Sequence, residues 1–176
     1  SHSGFSEPRK LNELPFLNND VFTFGSLNNF RKISDDVVET WSKILHEVPN
    51  SKLILKSSTA CDYGSLLNKF KKFGVDHKIE ILRKLDFIKK EDHLKVYNRI
   101  DLCLDTFPYN GVTTTFEALW MNVPVVVMKG YNFNSRCGES IIKNLGFKNL
   151  ISENKKDYVT NVIKLSHDKS VLIELR

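Results

Sequence analysis

Short, mostly apolar runs alternate with amphipathic segments along most of this chain. Buried strands are predicted where these runs are rich in Val, Ile, Leu and Phe, at residues 21–24, 53–55, 79–82, 102–104, 124–128 and 150–151. Apolar residues at helical spacing predict helices over residues 34–48, 65–73, 90–98, 113–121, 135–145 and from 154 onward. Strands that alternate with helices in this way predict an α/β fold, a doubly wound parallel sheet of the Rossmann-like kind.

Residues typical of helix ends support these boundaries. Ser34 and Asn154 stand where an N-cap is expected, and Gly74 and Gly146 stand where a helix is expected to stop. The run at 124–128 is apolar on both faces, which is typical of a strand buried on both sides of a parallel sheet. Six strands predict the order 3-2-1-4-5-6, with a switch point between the first and fourth strands.

Length and composition fit one domain. The chain has 176 residues, 41% of them hydrophobic, which is enough for a single core. Residues 1–20 are polar, and we expect a linker or lead-in there, followed by one lobe over residues 21–176. Neither a long apolar run nor a signal peptide is visible, so we expect no membrane anchor. The spacing of the three cysteines, Cys61, Cys103 and Cys137, favours reduced thiols and a cytoplasmic location.

The mild basic excess, a net charge of +5 and a pI near 9.0, suits either a phosphate-bearing ligand or a nucleic acid. The sequence has no basic arm and no aromatic-plus-basic stripe of the kind that single-strand binders use. Nucleic acid is therefore the weaker partner hypothesis, because only the charge supports it.

Two loops follow the strands at the predicted switch point, at residues 25–32 and 106–114. Ligands of doubly wound folds bind there, at the carboxyl ends of the strands. The second loop leads into a helix that opens with threonines, and such an N-terminus suits a phosphate. No G-x-G-x-x-G follows the first strand, which argues against NAD.

Glu117 allows two interpretations. It lies four residues after Thr113, so the two share one helix face, and a ribose attached to a phosphate at the threonines would come near its carboxylate. Alternatively, Thr114 and Glu117 form a capping box, in which Glu117 bonds back to the cap N–H and binds no ligand. The local pattern leaves both interpretations open.

The stretch over residues 105–130, DTFPYNGVTTTFEALWMNVPVVVMKG, resembles the donor-nucleotide segment of the O-GlcNAc transferase and SPINDLY family. Members of that family are inverting GT-B glycosyltransferases that modify Ser and Thr of proteins. The run at 107–109 and the triple threonine resemble the SPINDLY branch and its bacterial relatives, and Val112 replaces the histidine of the other branch. The resemblance implies donor binding by the motif positions Gly111, Thr113, Thr114 and Glu117.

The segment after the first strand, GSLNNFRKI over residues 25–33, resembles a second part of the same family. Asn29 stands at the position of the family's amide, and Lys32 at that of the lysine that reaches the donor diphosphate. The resemblance therefore implies donor binding by Asn29 and a catalytic role for Lys32. A lysine at the switch point can place a compact positive charge on a diphosphate.

A third segment, before the fourth strand, resembles the part of the family that lines the nucleoside pocket. Lys90 and His93 match its Lys-x-x-His pattern, whereas Val96 replaces the arginine that follows in the family. Ser135 and Arg136, after the fifth strand, match a Ser-Arg pair near the site. These matches imply that Lys90 and His93 bind the donor.

Taken over residues 22–166, the resemblance implies the C-terminal lobe of a GT-B glycosyltransferase, one that binds a nucleotide-sugar donor and transfers GlcNAc from UDP-GlcNAc to Ser or Thr of a protein acceptor. Two alternatives stay open, GDP-fucose as the donor and a non-catalytic nucleotide-binding or interaction module. An N-terminal lobe and TPR repeats precede this lobe in the family, so we expect a fragment that is inactive alone.

We expect no cofactor and no metal requirement. Asp101 and Asp105 bracket a strand and do not form the D-x-D pattern of metal-dependent glycosyltransferases. GT-B enzymes instead stabilise the leaving diphosphate with helix dipoles, backbone N–H groups and cations. Thr113, Thr114 and Lys32 are the residues expected to supply these.

Overall fold

A computed structural model describes residues 21–28, 30–56, 63–82, 95–107, 117–121, 123–128 and 150–168 of the chain. Its strands are β1 (Phe22–Ser26), β2 (Ser51–Lys56), β3 (Ile79–Leu82), β4 (Leu102–Leu104), β5 (Val125–Met128) and β6 (Ile151–Ser152). Its longer helices are α1 (Asp35–Glu47), α2 (Tyr63–Lys71) and α3 (Lys155–Ser166). Short 3-10 turns lie at Phe30–Lys32, Asp76–Lys78 and Val96–Arg99, and residues 117–120 are helical.

The six strands form a single parallel sheet in the order β3-β2-β1-β4-β5-β6. This confirms the predicted fold class and strand order. Phe24 in β1 stands opposite Leu53 of β2 on one side and Leu102 of β4 on the other, so β1 lies at the centre of the sheet. The reversal of strand order between β1 and β4 is the switch point.

Apolar side chains on both faces of the sheet form one core. All five residues of β1 are buried, as a strand covered by helices on both faces requires. Helix α1 contributes Trp41, Ile44 and Leu45 at helical spacing, and each is almost fully buried. Helix α3 packs beside α1, and its Tyr158 and Val162 are buried. The apolar periodicity in the sequence therefore identifies the buried faces of both helices.

Gly25 lies within β1 at a point of close packing. The side chain of Ile100 fills the space that a Cβ atom on Gly25 would occupy. A glycine is required here because another side chain would force Ile100 out of the core next to the entry of β4.

The predicted helix signals are confirmed where the structure describes them. The Ser34 hydroxyl accepts a hydrogen bond from the Val37 N–H at 3.3 Å, and the Asn154 side chain accepts one from the Asp157 N–H at 2.9 Å. Gly74 follows α2 with a φ of +73°, a left-handed conformation that ends the helix.

Several predicted boundaries were wrong. The first strand runs to Ser26, so the exit loop begins after that residue and not at Gly25. In the described part of the helix predicted over 90–98, residues Val96–Arg99 form a 3-10 turn. This turn tightens the chain before β4 and buries Val96 and Tyr97. The last strand is Ile151–Ser152, one residue later than predicted.

Other predictions fall on residues outside the described ranges. These are the lead-in over 1–20, the helix over 135–145 with Gly146, and the start of the helix over 113–121. Among the helices that the structure describes, none combines the length and the apolar character needed to cross a lipid bilayer.

Candidate functional site

A crevice opens at the carboxyl ends of β1 and β4, where the strand order predicts a ligand site. Its empty volume of about 220 Å³ includes space that is open to solvent, so little of it is enclosed. Its walls come from the end of β1, the 3-10 turn before β4, the end of β4 and the first residue of β5. The lining residues are Ser26, Leu27, Asn28, Tyr97, Cys103, Leu104, Asp105 and Val125.

The β1 side of the crevice is polar. The Asn28 amide donates a hydrogen bond to the Ser26 hydroxyl at 3.2 Å, and both side chains are buried. The chain then enters a 3-10 turn, which the Ile33 N–H closes by bonding to the Phe30 carbonyl at 3.0 Å. Lys32 stands half-buried in this turn, a few residues beyond the crevice wall.

The β4 side of the crevice is built around Asp105, which is almost fully buried. Its N–H donates to the Val126 carbonyl at 3.0 Å, and its carboxylate accepts a bond from the Thr106 N–H at 2.9 Å. Its carbonyl accepts a bond from the Tyr158 hydroxyl at 2.9 Å. The residue that ends β4 is therefore fixed to a strand, to the following loop and to helix α3.

Asp101 directly precedes β4, at the end of the strand away from Asp105, and its hydrogen bonds stabilise the sheet. Its carboxylate accepts a hydrogen bond from the Thr23 N–H at 2.8 Å, and its own N–H donates to the Thr23 carbonyl at 2.8 Å. The two bonds extend the pairing of β1 with β4 by one residue at the entry of β4. Within the described residues, no group of three or more His, Cys, Asp or Glu side chains is placed to hold a metal ion.

Tyr97, which lines the crevice, interacts electrostatically with a residue of the helical segment 117–120. It is 1% exposed, and burial raises the pKa of its phenol, with smaller electrostatic contributions from Cys103 and Glu117. Glu117 therefore lies within electrostatic range of a side chain that lines the crevice. Glu117 is itself half-buried.

Two of the predicted site residues, Lys32 and Glu117, lie among the described residues. Lys32 belongs to the segment that leaves β1, and Glu117 to the segment between β4 and β5, so both follow strands that border the crevice. Their predicted roles stay predictions. The other predicted residues lie outside the described ranges: Asn29, Lys90, His93, Gly111, Thr113, Thr114, Ser135 and Arg136.

Sequence reasoning missed four polar residues of the crevice wall, Ser26, Asn28, Tyr97 and Asp105. Asn28 is the neighbour of the predicted Asn29, and Asp105 directly follows a buried strand that flanks the switch point. Both residues follow strands at the switch point, so the predicted topology alone could have identified them as site candidates. Tyr97 carried no such signal, because it lies in a 3-10 turn where helical periodicity does not indicate the direction of a side chain.

Residues 9–176 match the sequence profile of glycosyl transferase family 41. Over 167 residues the chain is 38% identical to a tomato (Solanum lycopersicum) protein and 37% identical to an Arabidopsis thaliana protein. Both are named probable UDP-N-acetylglucosamine–peptide N-acetylglucosaminyltransferase SPINDLY. Each alignment covers 92% of this chain but 18% of the relative. The chain thus spans less than one fifth of the length of these relatives.

A solved structure of a mutant O-GlcNAc transferase from Thermobaculum terrenum shares the fold. It superimposes with a TM-score of 0.83 and 32% identity, over 89% of this chain and 30% of that one. The parallel sheet, its flanking helices and this match define a Rossmann-like lobe of a GT-B glycosyltransferase. More specifically, the chain belongs to glycosyl transferase family 41. The predicted family resemblance and fold class are therefore confirmed.

Proposed function

We propose that this chain is the donor-binding lobe of an enzyme that transfers GlcNAc from UDP-GlcNAc to Ser or Thr of proteins in the cytoplasm. The observation that carries the proposal is the crevice at the β1–β4 switch point in a family 41 chain. The names of the relatives, which are peptide N-acetylglucosaminyltransferases, support this donor and this acceptor class. The acceptor-binding groups and the remaining lobe belong to the longer enzyme.

The proposed chemistry requires the lobe to hold a nucleoside diphosphate and to stabilise it as a leaving group. An acceptor hydroxyl attacks the anomeric carbon from the face opposite the diphosphate, the bond from that carbon to the β-phosphate oxygen breaks with inversion, and the hydroxyl proton passes to water or to the departing diphosphate. Lys32 supplies a positive charge to the departing diphosphate, together with backbone N–H groups at Gly111, Thr113 and Thr114. Asn29, Lys90 and His93 hold the nucleoside, and Glu117 accepts hydrogen bonds from the ribose.

Nucleotide titration of the 176-residue chain tests the proposal. In calorimetry we expect saturable binding of UDP, and we expect it to be tighter than that of GDP because the proposed donor carries uracil. Binding in EDTA is expected to match binding in magnesium within about tenfold, or 1.4 kcal/mol, since cationic and N–H groups replace the metal. A larger loss in EDTA would contradict metal independence.

Absence of binding by either nucleotide would overturn the proposed function, and preference for GDP would assign a guanosine-based donor.

The ribose role of Glu117 gives a separate expectation. Glu117→Gln replaces a charge-assisted hydrogen bond by a neutral one, so UDP should bind about fivefold more weakly, or about 1 kcal/mol. The melting temperature should stay nearly unchanged, because glutamine also serves in a capping box.

A dideoxy nucleotide separates the two interpretations of Glu117. If its carboxylate holds the ribose, 2′,3′-dideoxy-UDP should bind the wild-type chain as weakly as UDP binds Glu117→Gln. Equal binding of the dideoxy and ribo forms to the wild-type chain would assign Glu117 to the helix cap alone.

A further inference from the structure

Tyr158 lies behind the crevice wall, on helix α3, and is completely buried. Its hydroxyl donates to the Asp105 carbonyl at 2.9 Å and accepts a hydrogen bond from the Trp41 indole N–H at 3.1 Å. Since an indole N–H only donates and a phenol carries one hydrogen, both directions are fixed. The three residues form a buried chain of hydrogen bonds that runs from α1 through α3 to the end of β4.

The exit of β4 is held by Tyr158 at two points. Besides the bond to the Asp105 carbonyl, the ring of Phe107 packs edge-on against the Tyr158 ring with centroids 5.4 Å apart. Asp105 lines the crevice, whereas Tyr158 does not. A change at Tyr158 can therefore reach the crevice through the position of the β4 exit.

The Tyr158 hydroxyl is a constant donor. Burial raises its pKa well above the ordinary value for tyrosine, and the bond from Trp41 offsets this only in part. The phenol therefore stays protonated at neutral pH and can donate to the Asp105 carbonyl.

We propose that Tyr158 is a positioning residue for nucleotide binding, which fixes the Asp105 wall of the crevice from outside the site, with Trp41 orienting its hydroxyl. The inference rests on the proposed function, because it assigns the crevice to a nucleotide. Binding residues must be held within about 0.5 Å of the productive geometry, and buried hydrogen bonds behind them supply that restraint. Loss of the Tyr158 hydroxyl leaves the Asp105 carbonyl buried without this bond, so the wall shifts.

Tyr158→Phe tests the role, because it removes the hydroxyl and keeps the ring that contacts Phe107. We expect UDP to bind about tenfold more weakly in calorimetry, or about 1.4 kcal/mol. The matched control is Val162→Ala, which shortens a buried side chain one turn further along α3 and leaves the Tyr158 hydroxyl in place. It should lower the melting temperature yet change the UDP affinity less than twofold, at a temperature where all variants are folded.

Amide exchange gives a readout that a general loss of stability does not move. The Thr106 N–H, which bonds to the Asp105 carboxylate, should exchange faster in Tyr158→Phe relative to the Phe24 N–H in β1. The ratio should stay constant in Val162→Ala. Trp41→Phe, a second variant that removes the orienting donor, should weaken UDP binding about threefold, because it disturbs one bond of the chain.

The outcomes separate this inference from the proposed function. If the wild-type chain binds no nucleotide, the proposed function fails and the inference falls with it. If the wild-type chain binds UDP and Tyr158→Phe binds it equally well, or if Val162→Ala weakens binding as much, only the positioning role is overturned.

Discussion

Replacement of Trp41 by alanine is expected to lower the free energy of unfolding by about 3–5 kcal/mol. The Trp41 side chain is completely buried on the inner face of α1, and its indole N–H bonds to Tyr158. Truncation to alanine removes its apolar contacts, leaves a cavity where α1 meets the rest of the core and deprives the Tyr158 hydroxyl of a donor. A domain of this size has a total stability of about 5–15 kcal/mol, so the variant should lose a large share of its stability.

Urea denaturation followed by circular dichroism measures this change. Lys43→Ala, an exposed substitution on the same helix, is the matched control and should stay within about 0.5 kcal/mol of wild type. A loss below about 1 kcal/mol in Trp41→Ala would show that α1 does not carry the core contacts described above.

Lys32→Ala is expected to weaken UDP binding by about 1.5–3 kcal/mol, the range for hydrogen bonds to charged groups. Lys32 lies in the 3-10 turn after β1, a few residues beyond the wall of the crevice in which we place the diphosphate. Because Lys32 is half-buried, its charge is screened less by solvent than that of an exposed lysine. The melting temperature should change little, since the side chain is not part of the core.

Calorimetric titration of UDP against Lys32→Ala, wild type and Lys43→Ala measures the effect. Both variants lose one positive charge, so the comparison removes any general effect of net charge on an anionic ligand. Equal affinity in Lys32→Ala and wild type would exclude Lys32 from the diphosphate site. Equal weakening in both variants would assign the effect to long-range charge.

The sheet topology was predictable because each strand and helix carried its own signal. The strands are short apolar runs, and the helices begin at Ser34 and Asn154, whose side chains cap them as expected. When strands and helices alternate along the chain, the right-handedness of the crossovers leaves few possible strand orders. The strand order in turn determines the switch point. The position of the crevice was therefore predictable without a ligand or a solved structure.

The internal bonding of the site was not predictable. Trp41 and Tyr158 are 117 residues apart in the sequence. The helical periodicity identifies both only as apolar positions on their helices. Their bond, and the bond of Tyr158 to Asp105, depend on how α1 and α3 pack against the sheet. Local patterns contain no information on this packing. The 3-10 turn that carries Tyr97 was missed for a related reason. Its conformation depends on how the chain packs before β4, and the helix propensity of its residues does not reveal it.

The contacts between Asp101 and Thr23 join residues 78 positions apart, at the entry of a strand only three residues long. Closing so large a loop costs conformational entropy before the paired strands stabilise the chain. Long-range parallel pairing is therefore intrinsically slow. The two main walls of the crevice come from the strands that this pairing joins. A partly folded chain that lacks it has helices but no crevice. During refolding, recovery of nucleotide binding therefore reports completion of the central pairing, whereas far-ultraviolet circular dichroism reports the earlier appearance of helices.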